Sequence, residues 1–156
     1  MRFMHVYLAK KTEIAERRLN VRLLKFWEEA CQQRLMPDEV DLDPDTLTDI
    51  WPQCFLLQTF DIHKRGQYTY TYLGDAIIDA FQDGMLDEGQ SMMISPHAEK
   101  MALSFQQVME TRAPVVSDGE FLTVTGHMLR YHQCLLPLGN GEEVVAIFGG
   151  MSFKAY

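Results

Sequence analysis

The stretch Gln67–Asp83, QYTYTYLGDAIIDAFQD, passes from strand to helix at one glycine. Tyr68, Tyr70 and Tyr72 alternate with Thr69, Thr71 and Leu73, so simple strand parity puts three phenol rings on one face. Gly74 permits the tight turn. Asp75 caps a helix carrying Ile77, Ile78, Ala80 and Phe81. Three tyrosines on a buried sheet face would form an apolar wall whose hydroxyls need partners, as a wall around a small polar ligand does. Taken alone, the same rings read more simply as core or half-exposed strand residues.

Phe55–Phe60 (FLLQTF) reads as a strand before this segment. After it come a loop with Gly84 and Gly89, a helix from about Pro96 to Thr111, and strands at Val115–Thr125, Met128–Leu138 and Glu143–Phe153. Ser95-Pro96 gives the helix a cap and a proline start. Ala98, Met101, Ala102, Phe105, Val108 and Met109 then form an apolar stripe that must cover sheet. Asp118-Gly119 reads as a bulge or bend, Thr125-Gly126 as a turn and Asn140-Gly141 as a hairpin signal.

Upstream, Thr12–Arg34 reads as one long helix with Leu19, Leu23, Phe26, Trp27, Ala30 and Cys31 on a stripe that Leu24 widens. Such a stripe is buried on the sheet, on a second copy, or on both. Glu13 and Arg17 form a favourable pair four apart, while Arg18 and Arg22 repel weakly. Met36–Gln53 is an acidic connector in which Asp43 and Pro44 start a short helix, Leu47 and Ile50 share a side, and Trp51-Pro52 ends it. Asp41, Asp43 and Asp45 do not form a calcium loop, because the sixth and twelfth positions are Thr46 and Pro52 instead of Gly and Glu.

The order of strand, strand, helices and three strands, with YTYTYLGDAIIDAF after the second strand, ETRAPV before the third and CLLPLGNGEEVVAIFGG as the final hairpin, resembles a PAS domain. More narrowly, LLKFWEEA, LMPDEVDLDPDTLTDIWPQCFLL and YTYLGDAIIDAF resemble the opening of a bacterial PAS sub-family that often forms nearly a whole small protein. The resemblance runs over roughly Leu23–Phe153, and it is carried by order and spacing, since no single motif is a catalytic signature. One departure is FQDGMLDEGQ: relatives usually place glycine directly after the phenylalanine, whereas Gln82 and Asp83 precede Gly84 here.

The expected fold is therefore α+β: a PAS-like five-stranded antiparallel sheet with helices over one face and a long N-terminal helix. Residues 1–34 form the N-terminal segment and amphipathic helix, and 35–156 the PAS-like domain. The resemblance implies a sensory or interaction module signalling in trans, and a homodimer with Leu19, Leu23, Phe26 and Trp27 at or beside the contact. Any ligand site falls on the inner sheet face, walled by Tyr70, Tyr72, Phe81, Phe105 and His132.

Composition bounds the function. The 156 residues suit one domain with a real core. A formal net charge of −8 argues against a general nucleic-acid binder. Residues 1–34 hold eight Lys/Arg and four Glu, whereas residues 35–61 hold seven acidic residues and no Lys/Arg, so the basic helix is expected to lie near the acidic segment of its own chain. No apolar run reaches the length of a membrane span, and Phe3–Ala9 does not have the layout of a signal peptide. Cys31, Cys54 and Cys134 are odd in number and scattered, which fits a reducing cytoplasm.

There is no phosphate loop, dinucleotide fingerprint or Cys-x-x-Cys. His127 and His132 would point to opposite faces of one strand, and His63 and His97 stand apart, so no tightly held metal, haem or flavin is expected. Cys134 reads as a buried small apolar residue, not a nucleophile. Two further readings are a small enzyme using His132 or a tyrosine for acid–base chemistry, with Arg130 and Tyr131 nearby, and a structural adaptor with a closed core.

Overall fold

The computed structural model describes residues 11–59, 69–81, 98–122 and 128–155. Helix α1 spans Lys11–Cys31, α2 Asp75–Phe81 and α3 Ala98–Thr111. The strands are β1 (Cys54–Gln58), β2 (Thr69–Leu73), β3 (Val115–Leu122), β4 (Met128–Leu138) and β5 (Ala146–Ala155). They form one sheet in the order β2-β1-β5-β4-β3, with every pairing antiparallel. Helices α2 and α3 serve the inner face and α1 the outer face, which divides the core into two layers.

The inner layer gathers Phe55, Leu57, Ile77, Phe105, Val108, Val115, Tyr131, Leu135, Ile147 and Met151. The outer layer joins Leu19 and Leu23 to Leu47, Ile50, Cys54, Cys134, Leu136 and Phe148. Alternation along β5 supplies both, with Ile147 and Met151 inward and Ala146 and Phe148 outward.

The stripe on α1 is buried against its own sheet. Leu19 is 3% exposed and Leu23 fully buried within the single chain. Leu23 fits over Gly150, where an ideal Cβ would lie 2.6 Å from its Cδ1. Phe26 meets Phe148 edge-on at 6.0 Å. Trp27 Nε1 donates to the Pro137 carbonyl at 2.8 Å. Leu19 and Leu23 therefore have no apolar surface left for a second copy, and the expected contact there loses its motive. Pro137 is tolerated in an inner strand because β3 begins opposite Leu135, so its missing N–H lies beyond that edge of the ladder.

The acidic connector docks on the basic helix, as the charge pattern implies. Arg22 grips Asp49 through both guanidinium nitrogens, at 2.5 and 2.9 Å, and Arg34 reaches Asp41 at 2.8 Å. The Arg22 guanidinium holds the Asp49 carboxyl below its usual range, and at Asp41 the Asp38 backbone N–H does so first, with Arg34 adding to it. Asp38 and Asp41 also close a capping box around a 3₁₀ turn at Glu39–Asp41. The short helix expected after Asp43 is a run of turns instead. Asp43 still caps it through the Asp45 N–H, and Leu47 and Ile50 are buried together.

Three local expectations are revised. Gly119 sits in regular pairing with Tyr131 and makes no bulge; it is glycine because the Tyr131 phenol lies across it, with Oη 2.5 Å from where a Cβ would stand. The β4–β5 hairpin closes at Leu138↔Ala146, so β5 starts three residues later than Glu143. The connection folds back on itself there, with Val145 N–H bonded to the Leu138 carbonyl at 2.8 Å. Gly74 is required for close approach, not for a left-handed turn: a Cβ would overlap the Pro52 carbonyl. The turn at Thr125-Gly126 lies outside the described residues.

Candidate functional site

On the inner face an aromatic wall meets the fully buried polar side chain of Gln133. Tyr70 packs edge-on against Phe55 at 5.6 Å, and Phe55 meets Phe105 of α3 at 6.5 Å. Phe55 lies over Gly149, 2.7 Å from an ideal Cβ there, so the ring rests on bare backbone. Tyr70 and Phe105 thus stand where parity and the α3 stripe place them.

Tyr72 does not join them. The β1–β2 ladder pairs Leu57 with Tyr70 and Leu56 with Tyr72, leaving Thr71 as an extra residue. This bulge resets the alternation. Tyr70 therefore follows Leu57 to the inner layer, while Tyr72 follows Leu56 to the outer one. Its ring stacks on Trp51 at 4.7 Å, and its hydroxyl donates to the Trp51 carbonyl at 2.8 Å. Burial raises its pKa. Tyr72→Phe is accordingly expected to lower stability by about 0.5–1.5 kcal/mol, the net worth of a neutral hydrogen bond, and to leave ligand affinity unchanged. Chemical denaturation beside a binding titration checks both parts.

His132 also leaves the wall. It alternates with Tyr131 on β4, and Tyr131 belongs to the inner layer. His132 thus faces outward, with Nδ1 3.9 Å from Asp118 Oδ2 on the neighbouring strand. Arg130 shares that outward parity, so His132, Arg130 and Tyr131 do not converge on one site. The side chain of Phe81, with Tyr68, His63, His97 and His127, lies outside the described residues.

Between Tyr131 and Leu135 the sequence places a residue that the aromatic pattern does not reveal. Gln133 is fully buried on the inner face, paired across the sheet with Ser117 on one side and Met151 on the other. Its Nε2 donates to Ser117 Oγ at 3.0 Å, and the Ser104 hydroxyl of α3 lies 3.3 Å from the same oxygen. Its Oε1 is buried without a partner. The signal was the one polar residue in RYHQCLLPL at an inward position, legible only once the parity of β4 is fixed.

The two buried thiols are poor nucleophiles. Burial pushes both Cys54 and Cys134 up to about 12, so each stays protonated in the outer layer. No cluster of three or more metal-ligating side chains occurs among the described residues. No helix among them is long and apolar enough to cross a membrane. A groove of about 450 Å³ lies apart from the inner face, between α1 and the connector, lined by Arg22, Lys25, Phe26 and Leu47 among others.

The sheet order, the two layers and the helices over the inner face define a PAS architecture. The PAS domain family matches residues 16–152, and the chain belongs to that family. None of the curated proteins matches it. Among solved structures, it is similar to the LOV protein of Rhodobacter sphaeroides at 8% identity, covering 72% of this chain and 68% of that one, with a TM-score of 0.47. A PAS domain from Colwellia psychrerythraea is also 8% identical, over 72% of this chain and 95% of that one, with a TM-score of 0.47. The ligand-binding domain of the Pseudomonas aeruginosa amino acid chemoreceptor PctC, in complex with GABA, is 13% identical over 88% of this chain and 56% of that one, with a TM-score of 0.42.

Proposed function

We propose that the chain is a non-catalytic sensory module of the cytoplasm that binds a small molecule between the inner sheet face and α3 and signals in trans. The observation that carries this reading is the fully buried Gln133, linked through the half-buried Ser117 to Ser104 and set among Phe55, Phe105, Tyr131 and Met151. A core that only stabilises the fold has no use for a fully buried carboxamide with an unpartnered end. Output passes to a partner protein or a second copy through the flank of α1 where Phe26 and Trp27 are half-buried, since Leu19 and Leu23 are committed to the sheet. Three free thiols suit a reducing compartment.

Thermal shift of the purified chain against a metabolite library tests the binding. A true ligand at a hundred times its Kd adds about 2.7 kcal/mol to folding stability, which raises the Tm by several degrees. The shift should disappear when Phe105 is replaced by Trp, whose larger ring would compete with a ligand beneath α3. A library that leaves the Tm unmoved throughout, in a chain that unfolds cooperatively, would sink the reading.

A further inference from the structure

Gln133 carries information about what the inner face accepts. Its carboxamide is 0% exposed, and Ser117 satisfies only one end. Turning the amide over does not cure this. Oε1 would then accept from Ser117, and the NH₂ group with its two protons would be stranded instead. An orphaned buried polar group costs about 1–3 kcal/mol, a substantial share of a small domain's stability.

The surroundings define the complement. The side chains gathered on this face, Phe55, Leu57, Phe105, Val115, Tyr131, Leu135 and Met151, carry no charge at neutral pH, and burial raises the Tyr131 pKa further. The charged residues of β3 and β4 that alternate with them, Asp118, Glu120, Arg130 and His132, take the outward positions. No described basic side chain is placed to neutralise a carboxylate or phosphate here, and no acidic one to neutralise an ammonium. Among the described residues nothing would offset the cost of desolvating an unpaired ion here.

We infer that the inner face recognises an uncharged, largely apolar molecule bearing an amide-type edge, an N–H beside a C=O, which pairs with the Gln133 carboxamide. The N–H meets Oε1. The C=O accepts from Nε2, whose second proton remains with Ser117. A planar ring suits this face, where Phe55 and Phe105 already meet edge to face with centroids 6.5 Å apart. The inference rests on the ligand-binding reading above and adds the chemical class.

Three probes of matched size separate the two claims: 2-quinolone, N-methyl-2-quinolone and quinoline-2-carboxylate. Each is titrated into the full chain and followed by Tm and by amide chemical shifts along β4 and β5. The expected result is that 2-quinolone binds, that N-methylation weakens it at least tenfold, and that the carboxylate does not bind. Gln133→Leu should fold, with stability equal to or above the parent, and should bind the first two probes equally. Equal or tighter binding of N-methyl-2-quinolone or of the carboxylate to the parent chain overturns the class while leaving a ligand site on this face. A parent chain whose β4 and β5 shifts respond to none of the three loses both the class and the site. Loss of stability in Gln133→Leu would show that the carboxamide is satisfied within the fold, and would also overturn the inference.

Discussion

Leu23→Ala is expected to destabilise the protein by about 2–5 kcal/mol, the cost of a large-to-small change at a closed core position. Leu23 is fully buried, and its Cδ1 occupies the space above Gly150 that any side chain on β5 would fill. The neighbouring Leu19, Cys54 and Phe148 are fixed by helix and sheet, so the hole cannot collapse freely. Leu23→Glu should go further and leave the chain unfolded, because a carboxylate there would be buried without a partner. Urea denaturation by circular dichroism reads the first change, and light scattering accompanies the second. A Leu23→Glu chain with parental stability but a smaller mass in solution would put this residue at a contact between copies.

Gly74→Ala is the second change with a large expected effect. A methyl group there would overlap the Pro52 carbonyl and stand 2.9 Å from the Cys54 carbonyl. Both obstacles are backbone and have no rotamer to change. Gly74 N–H bonds to the Cys54 carbonyl at 2.9 Å, and the Gly74 carbonyl accepts from Ile77 and Ile78 at 3.0 and 3.1 Å. Relief of the overlap must therefore disturb the β1–β2 junction or the first turn of α2. The expected cost is at the upper end of, or beyond, the roughly 1–3 kcal/mol typical of overpacking. A Gly74→Ala protein within error of the parent in urea would show that the Pro52 segment yields without cost.

The two changes share a lesson about what a single chain discloses. Apolar period located every strand and the three helices, because α1, α3 and β4 carry long, regular patterns. Met128–Leu138 agrees with the observed strand end to end. Charge blocks anticipated the docking of the connector on α1. Parity, however, reaches only as far as the ladder is regular. One unpaired residue, Thr71, exchanged the faces of Tyr70 and Tyr72, and nothing in TYTYTYL distinguishes a bulged strand from a straight one. His132 was misplaced for a related reason: beyond Gln133, β4 is apolar on both parities because it is buried on both faces. The same double burial concealed Gln133. Likewise, the stripe on α1 announced that a surface would be covered, but not by whom.

The paired glycines of β5 have a mechanical consequence. Gly149 is bare toward the inner layer and Gly150 toward the outer, one residue apart. Phe55 rests on the first and Leu23 presses on the second. At the longer side chains of β5, such as Ile147, Phe148 and Met151, a displaced ring would meet a group that can change rotamer and absorb the motion. Here only the thickness of a peptide separates a ring of the aromatic wall from the helix behind the sheet. That spot behaves as a diaphragm set in a stiff plate: a guest that lifts or tilts Phe55 changes the load on the same few atoms that seat α1.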